Sequence, residues 1–308
     1  MHAKGLSAKT KRKMKKLAFY IALISLPILQ FLIFYVYVNI NSFVLAFQEY
    51  DVFTNTAKFA GWNNFIKIYK DLVETGKFAV MLKNSLIVWV WTTLLGIVGA
   101  IFFSYYIYKK SPFSNLFRTI LYMPHIVSSV VLIVMFKYFV EWAVPSLVET
   151  LTGKLIEGLY SNPDTQFVTV VFYCLWMGFG TQVLMYVSAM GGIDASISEA
   201  AKIDGITYLK EFWYITVPLV FPTLTTFILT GIGSIFTNQA GLYSFGGKNV
   251  PGSMHTFGYY MYVELQKNSA NQTAWPMLSA LGLLFTFVAT PLTFLARWLL
   301  GKYGPSVE

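Results

Sequence analysis

Six stretches of this sequence are apolar over the length of a membrane crossing, and they constrain the fold more than any other feature. They lie at roughly 17–38, 84–108, 119–140, 167–190, 219–243 and 276–300. A bilayer core about 30 Å thick is spanned by a helix of about 20 apolar residues, and each run has that length. The rest of the composition agrees. Only 12% of the 308 residues are charged and 56% are hydrophobic, against about 25% charged in soluble domains. Prolines at 27, 222 and 291 and glycines such as Gly96 and Gly231 are tolerable, because neighbouring helices satisfy freed backbone groups and small residues allow close approach. The fold class expected is an all-α membrane protein with six transmembrane helices.

The basic run Lys9–Lys16 before Leu17 has the look of a signal peptide. The apolar stretch behind it reaches about Val38, however, longer than the roughly 7–15 residues of a cleaved segment. It reads as a retained first helix. Lys and Arg then set the orientation. With the N-terminus in the cytoplasm, 14 of the 23 basic residues and five of the 14 acids face inward. That gives +9 inside and zero outside, so the whole charge excess lies on one face. The expected topology is N-in/C-in, with residues 191–218 cytoplasmic.

Several chemistries find no support. The basic residues do not form a soluble face for nucleic acid. Cys174 stands alone, so no internal disulfide is possible, and His2, His125 and His255 have no ligand spacing. No metal site is expected. A membrane-embedded glycan- or lipid-modifying enzyme would need paired carboxylates or a nucleophile–base set. Asp71 with Glu74, and Glu141, are the only candidates, and they read as solvated loop charges; no catalytic residue is expected. A secondary carrier would want inverted repeats and a mid-span carboxylate, and neither is evident. There is no phosphate-binding loop, so the chain holds no ATP of its own.

The segment 191–218 is the longest run in the C-terminal half that is neither span nor outer loop. Ser196 with Glu199 three residues on fits a capping box, which would open a short helix. Gly205 can take the positive φ that closes it. Ile206, Leu209, Phe212, Trp213 and Thr216 then recur on one face of a second short helix.

Within this segment Glu199-Ala200-Ala201, Asp204-Gly205 and Ile215-Thr216-Val217-Pro218 match the spaced EAA-x3-G-x9-I-x-x-P signature. The chain therefore resembles the membrane subunits of bacterial ATP-binding-cassette (ABC) importers, in the maltose and glycerol-phosphate permease branch. Met123-Pro124-His125 and Asn162-Pro163 add to the likeness. Ile206 stands where the family usually has Ala, and Gly246-Gly247-Lys248 replaces the usual Gly-Gly-Pro.

The resemblance implies a basic cytoplasmic N-terminus at 1–16, a permease domain at 17–300 and a cytoplasmic tail at 301–308. It also implies location in the bacterial cytoplasmic membrane. Residues Glu199, Ala200, Ala201, Asp204, Gly205, Phe212, Trp213 and Pro218 would meet a cytoplasmic ATPase dimer, where ATP and Mg2+ would bind. A second, non-identical permease and an extracytoplasmic solute-binding protein would complete the complex, in contact with membrane lipids. The solute would be a sugar, with Trp176, Gln182 and Tyr186 on the fourth span and Ser234, Thr237, Asn238 and Gln239 on the fifth lining its path. Asn238 and Gln239 are the strongest ligand candidates. Residue by residue, helix–helix hydrogen bonding explains the same side chains.

Overall fold

The computed structural model describes residues 8–51 and 56–305. The first seven residues of the expected N-terminal segment 1–16 and the last three of the tail 301–308 lie outside the described residues.

Among the described residues, five unbroken helices are long and apolar enough to cross a bilayer: α1 (Arg12–Ala46), then, counting a short helix α2 (Asn63–Tyr69), α3 (Lys77–Tyr108) and, beyond a short α4 (Ser114–Tyr122), α5 (Ser129–Thr152), followed by α6 (Pro163–Gly191). The fifth closes the chain at Gln272–Tyr303. A further candidate is a bent pair, long and apolar enough to count as a sixth span if its two helices are taken together. After α7 (Ala195–Ile203) come α8 (Tyr208–Leu219) and α9 (Phe221–Thr237), bent by 63°. Pro222 explains the bend, because it has no amide to give the carbonyl of Pro218, and Val220 leaves helical geometry at φ −94°. Two short helices, α10 (Leu242–Gly246) and α11 (Phe257–Lys267), precede the last, α12 (Gln272–Tyr303).

Three boundaries differ from the sequence expectation. The run 119–140 is not one helix: Met123–Ile126 forms a 3-10 turn, Val127 is extended, and the membrane-length helix starts at Ser129. Pro124 removes a helical donor there. The run 219–243 stops at Thr237, since Asn238 is extended and both Ala240 and Gly241 take positive φ. The all-α expectation also missed a hairpin, β1 (Gln48–Asp51) pairing antiparallel with β2 (Thr56–Phe59) in the register Gln48 to Phe59.

The chain forms two compact units, Met1–Ile68 with Ala270–Leu283, and Tyr69–Ser269 with Leu284–Glu308. In the first, the buried Asn64 carboxamide donates to the carbonyls of Ala46 and Gln48, both at 2.8 Å, which fixes the corner from α1 into the hairpin. Phe47, Trp62 and Phe65 close the same corner with ring centroids 5.2–5.4 Å apart.

In the second unit α3 packs along α6. Gly96 and Gly99 admit Gln182 and Phe179 at that crossing, and the buried Ser104 hydroxyl donates to the carbonyl of Val183 at 3.0 Å. Gly180 performs the opposite service on α6: a Cβ there would collide with the carbonyl of Leu121, so only glycine lets the end of α4 sit against the helix. His125 then meets Thr181 at 3.0 Å, and the Met123-Pro124-His125 turn is thereby seated on α6. Two apolar clusters result. One gathers Phe136, Tyr173, Phe245 and Tyr259; the other gathers Ile101, Val183, Tyr186, Met190 and Phe212. Glu141 and Asp71 are not free loop charges. Glu141 accepts from the amides of Tyr160 and Ser161, each at 2.8 Å, and Asp71 accepts from Lys77 and Tyr260.

Candidate functional site

The hairpin of α7 and α8 is defined at both ends by its own sequence. α7 opens on Asp194, whose carboxylate accepts from the amide of Ser196 at 2.9 Å. This corrects the expected capping box: Ser196 lies inside the helix, and Glu199 is not its capping partner. The bond to that amide holds the Asp194 carboxyl below the ordinary carboxylate pKa. α7 closes as expected at Gly205, with φ +69°. The amide of Ile206 reaches the carbonyl of Ala201 at 2.9 Å and that of Gly205 reaches Lys202 at 3.1 Å. This pair of bonds is the glycine-terminated Schellman arrangement.

The second arm presents a different face from the one its sequence suggested. Glu211, Phe212 and Thr216 are buried, whereas Leu209 and Trp213 are exposed. The arm widens into a π turn at Phe212–Thr216, which shifts the buried stripe by one residue. Phe212 is 2% exposed and stacks on Phe102 at 4.8 Å, so it belongs to this chain's core and has no surface for a partner. Ala201 is buried as well. Glu199, Ala200, Asp204 and Gly205 remain on the surface with Ile203, which is 86% exposed, and Trp213; Pro218 is half-buried. Glu199 makes no hydrogen bond or ion pair among the described residues.

Sequence reasoning missed the charge that braces the hairpin. Glu211, 3% exposed, forms an ion pair with Lys109 at the end of α3 and accepts from Ser198 of α7 at 2.6 Å. The two charges are 102 positions apart, and no local pattern announces such a pairing.

The expected solute-path residues divide in the structure. Gln182 and Tyr186 share one face of α6 and point into the bundle beside α3 and α9. Gln182 donates to the carbonyl of Thr92 at 3.1 Å, while Tyr186 lies 5.3 Å from the ring of Phe227. The Gln182 carboxamide oxygen and the Tyr186 hydroxyl are buried and have no partner among the described residues. Trp89 on α3 joins them. Its indole nitrogen is also buried and unpartnered, close to Gly231 of α9. A tryptophan within an apolar run gave no sequence signal.

The α9 candidates are largely occupied locally. Ser234 and Thr237 donate to carbonyls of their own helix, and the Asn238 oxygen accepts from the amide of Ala240 at 2.8 Å to hold the turn. The Gln239 oxygen is buried and has no partner among the described residues. Trp176 stands apart, in an apolar hollow with Phe136, Phe139 and Phe172.

Residues 93–307 match the model of the binding-protein-dependent transport system inner membrane component. The chain belongs to that family. As an inner membrane component it is a multi-pass membrane protein and part of a transporter. Among curated relatives, the arabinooligosaccharide transport system permease protein AraP of Bacillus subtilis is 26% identical over 66% of this chain. That match takes in 64% of AraP, just under two thirds of its length. LplB of the same organism is 24% identical over 97% of this chain and 93% of its own. The multiple sugar-binding permease MsmF of Streptococcus mutans is 23% identical over 77% of this chain and 80% of its own.

The fold matches a chain of a bacterial ABC transporter involved in import of the acidic polysaccharide alginate. The TM-score is 0.75 at 18% identity, over 96% of this chain and 99% of that one. A second structure of an alginate ABC transporter, in complex with an alginate pentasaccharide-bound periplasmic protein, matches at TM-score 0.75 and 19% identity, over 94% of this chain and 96% of that one.

Proposed function

We propose that this inner membrane component is one permease of an ABC importer for an oligosaccharide. In this reading the hairpin 191–218 lies in the cytoplasm and docks on a separate ATPase dimer, which binds ATP and Mg2+. Residues 1–16 and 301–308 share that side, and the permease domain runs from 17 to 300. Closure of the ATPase rocks α3, α6 and α9 between inward- and outward-open arrangements, a rigid-body switch carried by packed helices. A second, unlike permease and an extracytoplasmic binding protein complete the machine.

The observation that carries the reading is the hairpin itself. Glu199, Ala200 and Gly205 sit at the family's spacing on an exposed turn, and a buried charge pair braces that turn against the end of α3. A short motif gains weight from such a context. The sugar class is supported by relatives named for arabinooligosaccharides and multiple sugars. The unpartnered polar atoms of Trp89, Gln182 and Tyr186 supply the hydrogen-bonding groups that a polyhydroxylated solute needs in an apolar bundle.

Affinity purification of the tagged chain from its own host, followed by mass spectrometry, tests the assembly. The expected result is a soluble ATPase and a second permease, with uptake lost in both Glu199→Lys and Gly205→Asp. A chain that purifies alone, or ATP-driven uptake retained in both variants, would overturn the docking role.

A further inference from the structure

Lys109 is held by more than its pairing with a carboxylate. Its ammonium pairs with Glu211 and lies 3.5 Å from the Ser198 hydroxyl. It also sits over the rings of Tyr105, Tyr108 and Tyr208, at 5.4, 5.3 and 5.9 Å from their centroids. Three aromatic faces around one cation form a cage that favours positive charge. The cage is itself tied together, because the Tyr105 hydroxyl donates to the carbonyl of Tyr208 at 2.9 Å and approaches the second Glu211 oxygen at 3.4 Å.

The residues come from three elements. Tyr105, Tyr108 and Lys109 end α3; Ser198 sits in the middle of α7; Tyr208 and Glu211 open α8. Gly205 is the turn between the two arms, and a glycine turn alone leaves the angle between them soft. The cluster removes that freedom, since Glu211 on one arm holds Ser198 on the other and both are anchored to α3. Buried charges are an expensive way to gain stability, and their best-attested use is to fix one arrangement against others.

We infer that the Lys109–Glu211 pair is the positioning element of the coupling hairpin. It sets the angle between α7 and α8 and fastens both to α3, so that a push on the exposed turn moves the second membrane helix as well as α9. The inference rests on the reading of 191–218 as the ATPase-docking segment. Without the pair the turn still presents Glu199, but its movement is absorbed in the hinge at Gly205 and ATP is hydrolysed without solute transfer.

The test uses the intact complex in lipid nanodiscs or proteoliposomes, with Lys109→Met, Glu211→Gln, the double variant Lys109→Met/Glu211→Gln, and Lys109→Arg. Two quantities are read: hydrogen exchange of peptides covering 195–216, and solute transported per ATP hydrolysed. Each single variant leaves one buried charge without its partner. Protected amides in 195–216 are then expected to exchange about a hundredfold faster, the size implied by breaking a buried pair, and solute moved per ATP should fall about tenfold. The double variant leaves no orphaned charge, so it should be no worse than the poorer single variant. Lys109→Arg keeps the charge inside the cage and should restore the transport ratio to within about threefold of wild type.

Unchanged exchange in the single variants would overturn the bracing role. Faster exchange with an unchanged ratio of solute to ATP would overturn the positioning role. Failure of the docking reading is seen separately, as uptake that survives Glu199→Lys and Gly205→Asp, because neither of those residues touches the pair.

Discussion

In the α7–α8 hairpin the buried charge, Glu211, has three side-chain partners, and the groups without partners, such as Glu199, stand in water. In the bundle interior the arrangement is reversed. Trp89, Gln182 and Tyr186 each hold one polar atom away from solvent with no partner among the described residues. A surface that meets another protein can leave its polar groups hydrated until docking. A path for a polar solute must carry its groups inside, where each orphan costs about 1–3 kcal/mol. A chain keeps such a cost where a ligand or a second conformation supplies the missing partner. In the proposed function, the two regions would divide the work of docking and passage by where unsatisfied hydrogen bonding is stored.

Glu199→Lys breaks this comparison most directly on the docking side. The position is exposed, so thermal stability should stay within about 0.5 kcal/mol of wild type, while ATP-driven uptake falls by about a hundredfold or more, the loss typical of a central interface charge reversed. Parallel unfolding and uptake assays check both halves; a loss of stability matching the loss of uptake would place Glu199 in the fold instead of the interface.

On the passage side, Tyr186→Phe deletes an unpartnered hydroxyl and should leave stability equal or slightly higher, since removing a buried orphan relieves its desolvation. The half-saturation concentration for uptake should rise about tenfold, the worth of one hydrogen bond to solute. Stability rising with unchanged half-saturation would remove Tyr186 from the passage.

The smallest effect belongs to the α7 cap. The folded-state pKa of Asp194 is depressed by the Ser196 amide, so the cap acts fully above the ordinary value of 3.8 and is lost as pH falls through the lower, folded value. Exchange at the start of α7, corrected for its intrinsic pH dependence, should quicken there in wild type and be already quick in Asp194→Ala at neutral pH.

How much of this was legible follows from the range of each signal. Spans are read from length and apolarity, which are local, so the candidate spans were expected with shifted ends, whereas the 63° break before α9 was not. The Glu199–Pro218 spacing is local as well and led to the family. What failed was rotational or long-range. Asp194 and Ser196 are equally good caps on paper, and only the backbone decides between them. The π turn at Phe212–Thr216 keeps Phe212 and Thr216 inward and leaves Trp213 outward, and no periodicity fixed at 3.6 residues anticipates it. Lys109 and Glu211 meet because α8 starts beside the end of α3, a long-range placement that no local pattern announces. Asn238 looked like a ligand because a polar residue in an apolar run invites that reading, yet its oxygen holds the turn at Ala240.

The central claim, that the exposed turn of the hairpin meets the ATPase, is tested most directly by photo-crosslinking in the assembled complex. A photoreactive residue at Ile203, 86% exposed beside the turn, is compared with one at Leu155, similarly exposed at 82% but in the segment between α5 and α6. The account predicts a crosslink from position 203 to the ATPase subunit, changed in yield by ATP, and none from position 155. No crosslink at 203, or the same yield at both positions, would contradict it.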